Sequence, residues 1–248
     1  MTPFWIALQF LTVLPIELKV LPDARQNGQS LLFYPVVGLL LGLVLFAVAM
    51  LLAKLPVILS AALVLVLWIW LTGGLHLDGL ADTADAWVGG FGDPERTLKI
   101  MKDPACGPIG VLSLVVVCLL KFAALYVLLE QKLDLFLIIL PMLGRSVPLF
   151  FFLTTRYVRA HGLASSLLEN LPKTALWMFF VITIALLCMF YWAGLFAMAA
   201  FLFILFYLRR CFIKRIGGFT GDTVGAAIEL AETGLILSFV VASFYLRV

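Results

Sequence analysis

Three aspartates, Asp78, Asp82 and Asp85, directly follow a long apolar run in the segment Gly74-Leu75-His76-Leu77-Asp78-Gly79-Leu80-Ala81-Asp82-Thr83-Ala84-Asp85. At about 100° per residue a helix places them at i, i+4 and i+7, within an arc of roughly 60°. One stripe of hard oxygen donors at a membrane surface suits a divalent cation such as Mg²⁺. A second acidic group lies in Gly217-Gly218-Phe219-Thr220-Gly221-Asp222-Thr223-Val224-Gly225-Ala226-Ala227-Ile228-Glu229-Leu230-Ala231-Glu232, with Asp222 and Glu229 seven residues apart on one helical face. Gly221, Gly225 and Ala226 let another helix or a ligand come close there. Two such groups at facing helix ends could hold Mg²⁺ against phosphate oxygens and against the charge that develops in phosphoryl transfer. In the competing reading the acids pair with Lys99, Lys102, Arg209 or Arg210 and only mark the membrane interface.

Two cations, Lys121 and Arg145, lie inside apolar runs. Cations buried in a membrane are paired or line a polar cavity. The planar fork of Arg145 suits bidentate contact with phosphate, whereas Lys121 suits an acid from another span. His76, two residues before Asp78, faces away from the aspartate stripe on a helix; it is a weak metal candidate and open as a general base or hydrogen-bond donor. Arg156 and Arg159 flank Tyr157 and either bind phosphate or anchor a helix end. His161, beside Gly162, reads as an ordinary loop residue.

Of the 248 residues, 64% are hydrophobic and 12% charged, with a mean hydropathy of +1.16. That composition excludes a soluble domain and predicts one all-α, polytopic membrane helical bundle over residues 1–248. Seven spans are expected: Leu32–Ala53, Pro56–Leu75, Ile109–Glu130, Leu133–Leu153, Thr174–Tyr191, Gly194–Leu208 and Val224–Leu246. The fifth and sixth together are too long for one span and short for two, and Ala193-Gly194 offers the turn between them. Charge decides for two. Seven spans place Lys19, Arg25, Arg96, Lys99, Lys102, Arg156, Arg159, Lys173, Arg209, Arg210, Lys214 and Arg215 on one side and only Lys54, Lys132 and Arg247 on the other. The richer side is the cytoplasmic one.

The N-terminus is then inside, the C-terminus outside, and the loops Leu75–Pro108, Thr154–Lys173 and Arg209–Thr223 share the cytoplasmic face. Pro3–Ile16 is too short to span and is expected to lie in the interface or re-enter. Asp93-Pro94 to Asp103-Pro104 reads as a short surface helix with an aspartate cap, and Gly89-Gly90-Phe91-Gly92 before it as a flexible joint. The cysteines, Cys106, Cys118, Cys188 and Cys211, show no paired spacing and read as packing residues. The net charge of +3 is modest. No nucleic-acid partner is expected, the lipid bilayer is, and self-association is left open.

The motifs Thr72-Gly73-Gly74-Leu75-His76-Leu77-Asp78-Gly79-Leu80-Ala81-Asp82-Thr83-Ala84-Asp85, Ile100-Met101-Lys102-Asp103 and Gly218-Phe219-Thr220-Gly221-Asp222-Thr223-Val224-Gly225-Ala226 occur in this order. Together they resemble the cobalamin synthase (adenosylcobinamide-GDP ribazoletransferase) family, and the likeness runs from Phe10-Leu11-Thr12 to the last span. The resemblance implies a Mg²⁺-dependent transfer in cobalamin biosynthesis, at the cytoplasmic side of a bacterial or archaeal inner membrane. Adenosylcobinamide-GDP and α-ribazole, or its 5′-phosphate, would give adenosylcobalamin, or its 5′-phosphate, and GMP. By motif, Asp78, Asp82 and Asp222 become Mg²⁺ ligands, with Asp85, Asp103 and Glu229 as further ones. Lys102, Arg145 and Arg159 become phosphate contacts, His76 a proton acceptor or orienting group, and Thr220 and Gly221 substrate contacts. Ala86-Trp87 departs from the pattern, where a small residue such as glycine is expected after the third aspartate.

An intramembrane prenyltransferase fits Asp78-x-x-x-Asp82 but lacks its second such pattern, since Ala226 stands four residues after Asp222. A CDP-alcohol phosphotransferase requires an arginine where Asp82 stands. A cation transporter requires acids at mid-membrane and access from outside, where only Glu130 and Asp134 are expected. The charge bias makes one topological prediction: a reporter fused after Val248 is exported, and a reporter active in the cytoplasm would refute seven spans.

Overall fold

With no water in the bilayer core, apolar runs of this length satisfy their backbone groups as helices. The computed structural model describes residues 2–18, 21–159, 167 and 171–246, and helices dominate it. In chain order these are α1 (Thr2–Leu11), α2 (Ala24–Ser30), α3 (Tyr34–Leu51), α4 (Val57–Leu71), α5 (Leu75–Gly89), α6 (Pro94–Ile100), α7 (Pro108–Glu130), α8 (Phe136–Thr154), α9 (Lys173–Ala185), α10 (Tyr191–Ile216) and α11 (Gly221–Leu246). A 3₁₀ turn at Leu31–Phe33 joins α2 to α3, and another at Leu186–Phe190 prolongs α9. His161 lies outside the described residues.

Among the described residues, five helical stretches are long and apolar enough to cross a membrane: Ala24–Leu51, Pro108–Glu130, Phe136–Thr154, Lys173–Ile216 and Gly221–Tyr245. A sixth passes only when α4 and α5 are taken together across a bend of 86°. Gly73 and Gly74, with φ of +60° and +67°, make that bend in a region that L side chains avoid. The acidic α5 thereby leaves the line of α4 and lies at one end of the bundle, outside the spans.

The 44-residue stretch Lys173–Ile216 is not a rod. Phe180 and Phe206 both pack on Phe150, at ring separations of 5.8 and 5.3 Å, so the chain folds back between them. The reversal falls at Phe190–Tyr191, where Tyr191 has φ +49°, and not at Ala193-Gly194. Gly194 instead packs against the Leu187 carbonyl, which a Cβ would approach to 1.8 Å. By length and composition the described residues give five spans, or six if α4 and α5 form one, against the seven expected, and the reversal at Phe190–Tyr191 divides the longest of them.

The first column starts at Ala24 rather than Leu32 because Asp23 and Gln26 form a reciprocal capping box. The proline-bracketed start of the chain is the short helix α1, which packs on the same column through Phe4–Phe33 and Phe10–Tyr34, at 5.9 and 6.0 Å. The Val13 N–H donates to the Leu71 carbonyl at 2.9 Å, tying the segment after α1 to the end of α4. Within the bundle α11 packs against α5, α7, α8 and α10, while α3 packs on α8. At the end away from α5, Phe136 stacks on Phe239 at 3.8 Å, with Phe190 edge-on to both.

The expected surface helix is α6, capped by Asp93 Oδ1, which accepts the Arg96 N–H at 2.6 Å. The glycine segment before it is a pinned turn. A Cβ on Gly90 would meet Thr97 Oγ1 at 2.2 Å, and Arg215 donates both to Thr97 Oγ1 and to the Trp87 carbonyl. Trp87, the departure from the family pattern, continues α5 and lies edge-on to Phe212 at 5.7 Å.

The α3–α8 seam is the tightest backbone contact between spans. A Cβ on Gly38 would stand 2.5 Å from the Pro141 carbonyl oxygen, and one on Gly42 would stand 2.1 Å from that of Ile138. Small residues four apart allow this approach in a bilayer, where packing rather than the hydrophobic effect holds helices together. Gly42→Leu is therefore expected to destabilise the fold by about 1–3 kcal/mol through overpacking. Thermal denaturation in nanodiscs checks this; an unchanged melting temperature would mean that the seam yields.

Candidate active site

Two glycines set the geometry of the acidic end. A Cβ on Gly79 of α5 would lie 2.8 Å from the Asp222 carbonyl oxygen, and one on Gly225 of α11 would lie 3.3 Å from that of His76. The helices meet backbone to backbone, which brings the face carrying Asp78 and Asp82 beside the first turn of α11, where Asp222 sits. That turn is closed by Thr220 and Thr223: each accepts, through its hydroxyl oxygen, the backbone N–H of the other, at 2.8 and 3.2 Å. Thr220 is fully buried, and its hydroxyl also donates to Met101 Sδ at 3.2 Å.

Arg159 reaches the same place by a short backbone ladder. The Phe219 N–H donates to the Arg156 carbonyl at 2.9 Å and the Val158 N–H to the Phe219 carbonyl at 3.0 Å, with Gly218 making room for Arg156. The Arg159 guanidinium then contacts Asp222 Oδ2 at 2.5 Å and the Met101 carbonyl at 3.5 Å.

Asp82 is the most perturbed carboxyl on α5. Partial burial raises its pKa to about 6, and the charges of Asp78, Asp222 and Asp85 push in the same direction against Arg159. Acids that repel one another with a single cation nearby form a site short of positive charge. Among the described residues no group of three or more His, Cys, Asp or Glu side chains forms a cage for an ion. The donor set nevertheless fits Mg²⁺, which binds through one or two carboxylates and completes its shell with water and substrate phosphates. Asp78, Asp82 and Asp222 are the residues that could hold it.

The other sequence candidates separate by location. Asp85 has another partner: its two oxygens accept the N–H groups of Gly107 and Gly110 at 2.7 and 2.8 Å, capping α7. Glu229 lies two turns deeper than Asp222 and binds Lys121 Nζ at 2.6 Å, which also contacts Glu232 at 2.7 Å. Arg145 is buried and paired with the far oxygen of Glu232. Neither Glu229 nor Arg145 therefore joins the aspartate cluster; both belong to an interior ion network. Lys102 and Asp103 stand exposed after α6, with Asp103 Oδ1 accepting the Ala105 N–H at 3.0 Å.

Gly221 lines a cavity beside the cluster, with open space where a Cβ would point. That cavity, about 440 Å³, is also lined by His76, Asp78, Asp222 and Arg159 and by Phe10, Tyr34 and Phe152. Met101, Thr223 and the aromatic wall were not singled out from sequence. Met101 stood in a motif whose charged neighbours drew attention, and the aromatics come from helices far apart in the chain.

The family model described as Cobalamin-5-phosphate synthase matches residues 3–240. The chain belongs to the cobalamin-5-phosphate synthase family. Relatives named adenosylcobinamide-GDP ribazoletransferase include one from Acinetobacter baumannii, 66% identical over 99% of this chain and 100% of its own length. One from Pseudomonas putida is 51% identical over 98% and 100%, and one from Pseudomonas fluorescens 52% over 96% and 98%. No solved structure matches the chain. This cobalamin-5-phosphate synthase family member is thus a transferase whose acidic end can be read residue by residue.

The raised pKa of Asp82 has a definite sign. The folded state keeps this proton to about pH 6, whereas an aspartate ordinarily loses it near 3.8, so the folded state binds more protons in between and loses stability as pH rises through that window. In EDTA the melting temperature of the wild type is expected to fall from pH 5 to pH 7 more steeply than that of Asp82→Asn. Parallel curves would show that Asp82 does not feel its neighbours.

Proposed function

We propose that this protein is an adenosylcobinamide-GDP ribazoletransferase that requires Mg²⁺ and works from the cytoplasmic face of the inner membrane. The relatives of that name match it end to end. The observation that carries the reading is the meeting of Asp78 and Asp82 on α5 with Asp222 on α11, at the rim of a cavity and beside Arg159. The electrophile is a pyrophosphate, and a site rich in carboxylates can receive one only with a cation between them.

In this reading a hydroxyl oxygen of α-ribazole, or of its 5′-phosphate, bonds to the phosphorus carried by the aminopropanol arm of cobinamide. The bridging P–O bond breaks and GMP leaves with its electron pair, while the hydroxyl proton passes through a carboxylate to water. Bound Mg²⁺ would neutralise the pyrophosphate oxygens and the charge that grows on them. Asp78, Asp82 and Asp222 would hold it, and Arg159, already at the rim, would orient phosphate. Lys102 is free to swing a second cation toward the same oxygens. Arg145 and Glu229 serve instead to hold the spans in register.

Asp82→Ala and Asp222→Ala are expected to lower GMP release from adenosylcobinamide-GDP by about 100-fold or more, at the upper end of what lost metal-site contacts cost, while the protein still inserts and elutes like wild type. Wild-type release should need Mg²⁺ and stop in EDTA. Normal turnover by either variant would remove that carboxylate from the metal site.

A further inference from the structure

The cavity beside the aspartates has a mixed lining. Phe10, Tyr34, Phe152, Tyr157 and Phe219 supply aromatic rings, and Asp78, Asp222 and Arg159 supply charge. His76 also lines it, and this side chain is only 5% exposed. Among the described residues its buried Nδ1 has no hydrogen-bond partner. A buried polar atom is costly to leave unpaired, so such an atom at a cavity wall points to a ligand that satisfies it.

Size narrows the ligand. At about 440 Å³ the cavity lies toward the small end of ligand pockets, which run from about 300 to 1,000 Å³. A nucleoside with an aromatic base fits, whereas a corrinoid with its GDP arm has roughly five times as many atoms and does not. Charge narrows it further: a neutral planar base suits the aromatic wall, and phosphates suit the Arg159 rim.

We propose that this cavity is the acceptor-nucleoside subsite. The planar base lies among Phe10, Tyr34, Phe152, Tyr157 and Phe219, a ribose hydroxyl meets His76 Nδ1, and the corrinoid stays outside, presenting its pyrophosphate at the Asp78–Asp222 rim. The assignment rests on the ribazoletransferase reading above. It makes the aromatic wall the selector of the base and leaves selection of the corrinoid to other surfaces.

The test is equilibrium binding of α-ribazole to the protein in nanodiscs with EDTA present. Wild type should bind it, with GDP not competing. Phe10→Ala, on the half-exposed face of α1, and Phe152→Ala should each weaken binding roughly two- to tenfold, the worth of one aromatic contact. Both should leave the KM for adenosylcobinamide-GDP unchanged. His76→Phe, which keeps the ring and loses Nδ1, should weaken α-ribazole in the same assay. Because Phe10 is 43% exposed, its truncation does not threaten folding. No binding by wild type, competition by GDP, or unchanged affinity in both phenylalanine variants would overturn the assignment while GMP release by wild type stood. Absence of GMP release would sink the enzyme reading instead.

Discussion

Glu232 is completely buried and sits between two cations, Lys121 from α7 and Arg145 from α8. The first of these also holds Glu229 and lies over the Trp68 ring of α4 at 4.6 Å. Two acids and two bases thus cancel in the interior of the bundle. Removing one would leave a charge in a medium that cannot solvate it, a far larger penalty than the net worth of the pairs. This network fixes how α7 and α8 sit along α11. Even Gly144 answers to it, because a Cβ there would stand in the place of the Glu232 carboxylate.

Once α11 and α7 are registered, α5 has little freedom. It lies in the angle between them, held to α11 by the Gly79 and Gly225 contacts and to α7 by Asp85 on the Gly107 and Gly110 amides. Asp85 is therefore spent on architecture, and its spending aims Asp78 and Asp82. The Arg156–Val158 ladder on Phe219 adds Arg159 from a third direction. Fold and chemistry are separated by depth: acids inside the bundle are each matched by cations of the chain, whereas among the described residues Asp78, Asp82 and Asp222 at its rim share the Arg159 guanidinium.

Much of this was readable in the sequence, and the unread part has a common cause. Hydrophobic runs and charge asymmetry are local signals, and they located the spans, the α6 cap at Asp93 and the helical phase of the aspartates. The Phe190–Tyr191 reversal was misplaced by three residues because Ala193-Gly194 looks like a turn, while Gly194 is small in order to pack on Leu187. Lys121 was legible as a partner for an acid of another span. Arg145 was not, because a guanidinium suits a carboxylate and a phosphate alike, and nothing in its neighbourhood distinguishes an ion pair from a phosphate site. Asp85 is the same case, since a cap delivered from another helix leaves no spacing rule to find.

The difference between the two acidic groups is what the charge inventory explains best. Glu229 and Glu232 are matched within the protein, so they neither need nor admit a cation from outside. At the rim, Asp78, Asp82 and Asp222 face one guanidinium, and Asp82 responds by holding its proton to about pH 6. Near neutral pH that arrangement carries unbalanced negative charge next to a cavity, a state that repels a pyrophosphate unless a divalent cation arrives first or with it. The proposed metal requirement thus rests on a deficit of positive charge at the rim, and the glycines of α5 and α11 maintain the deficit by keeping α5 and the first turn of α11 close.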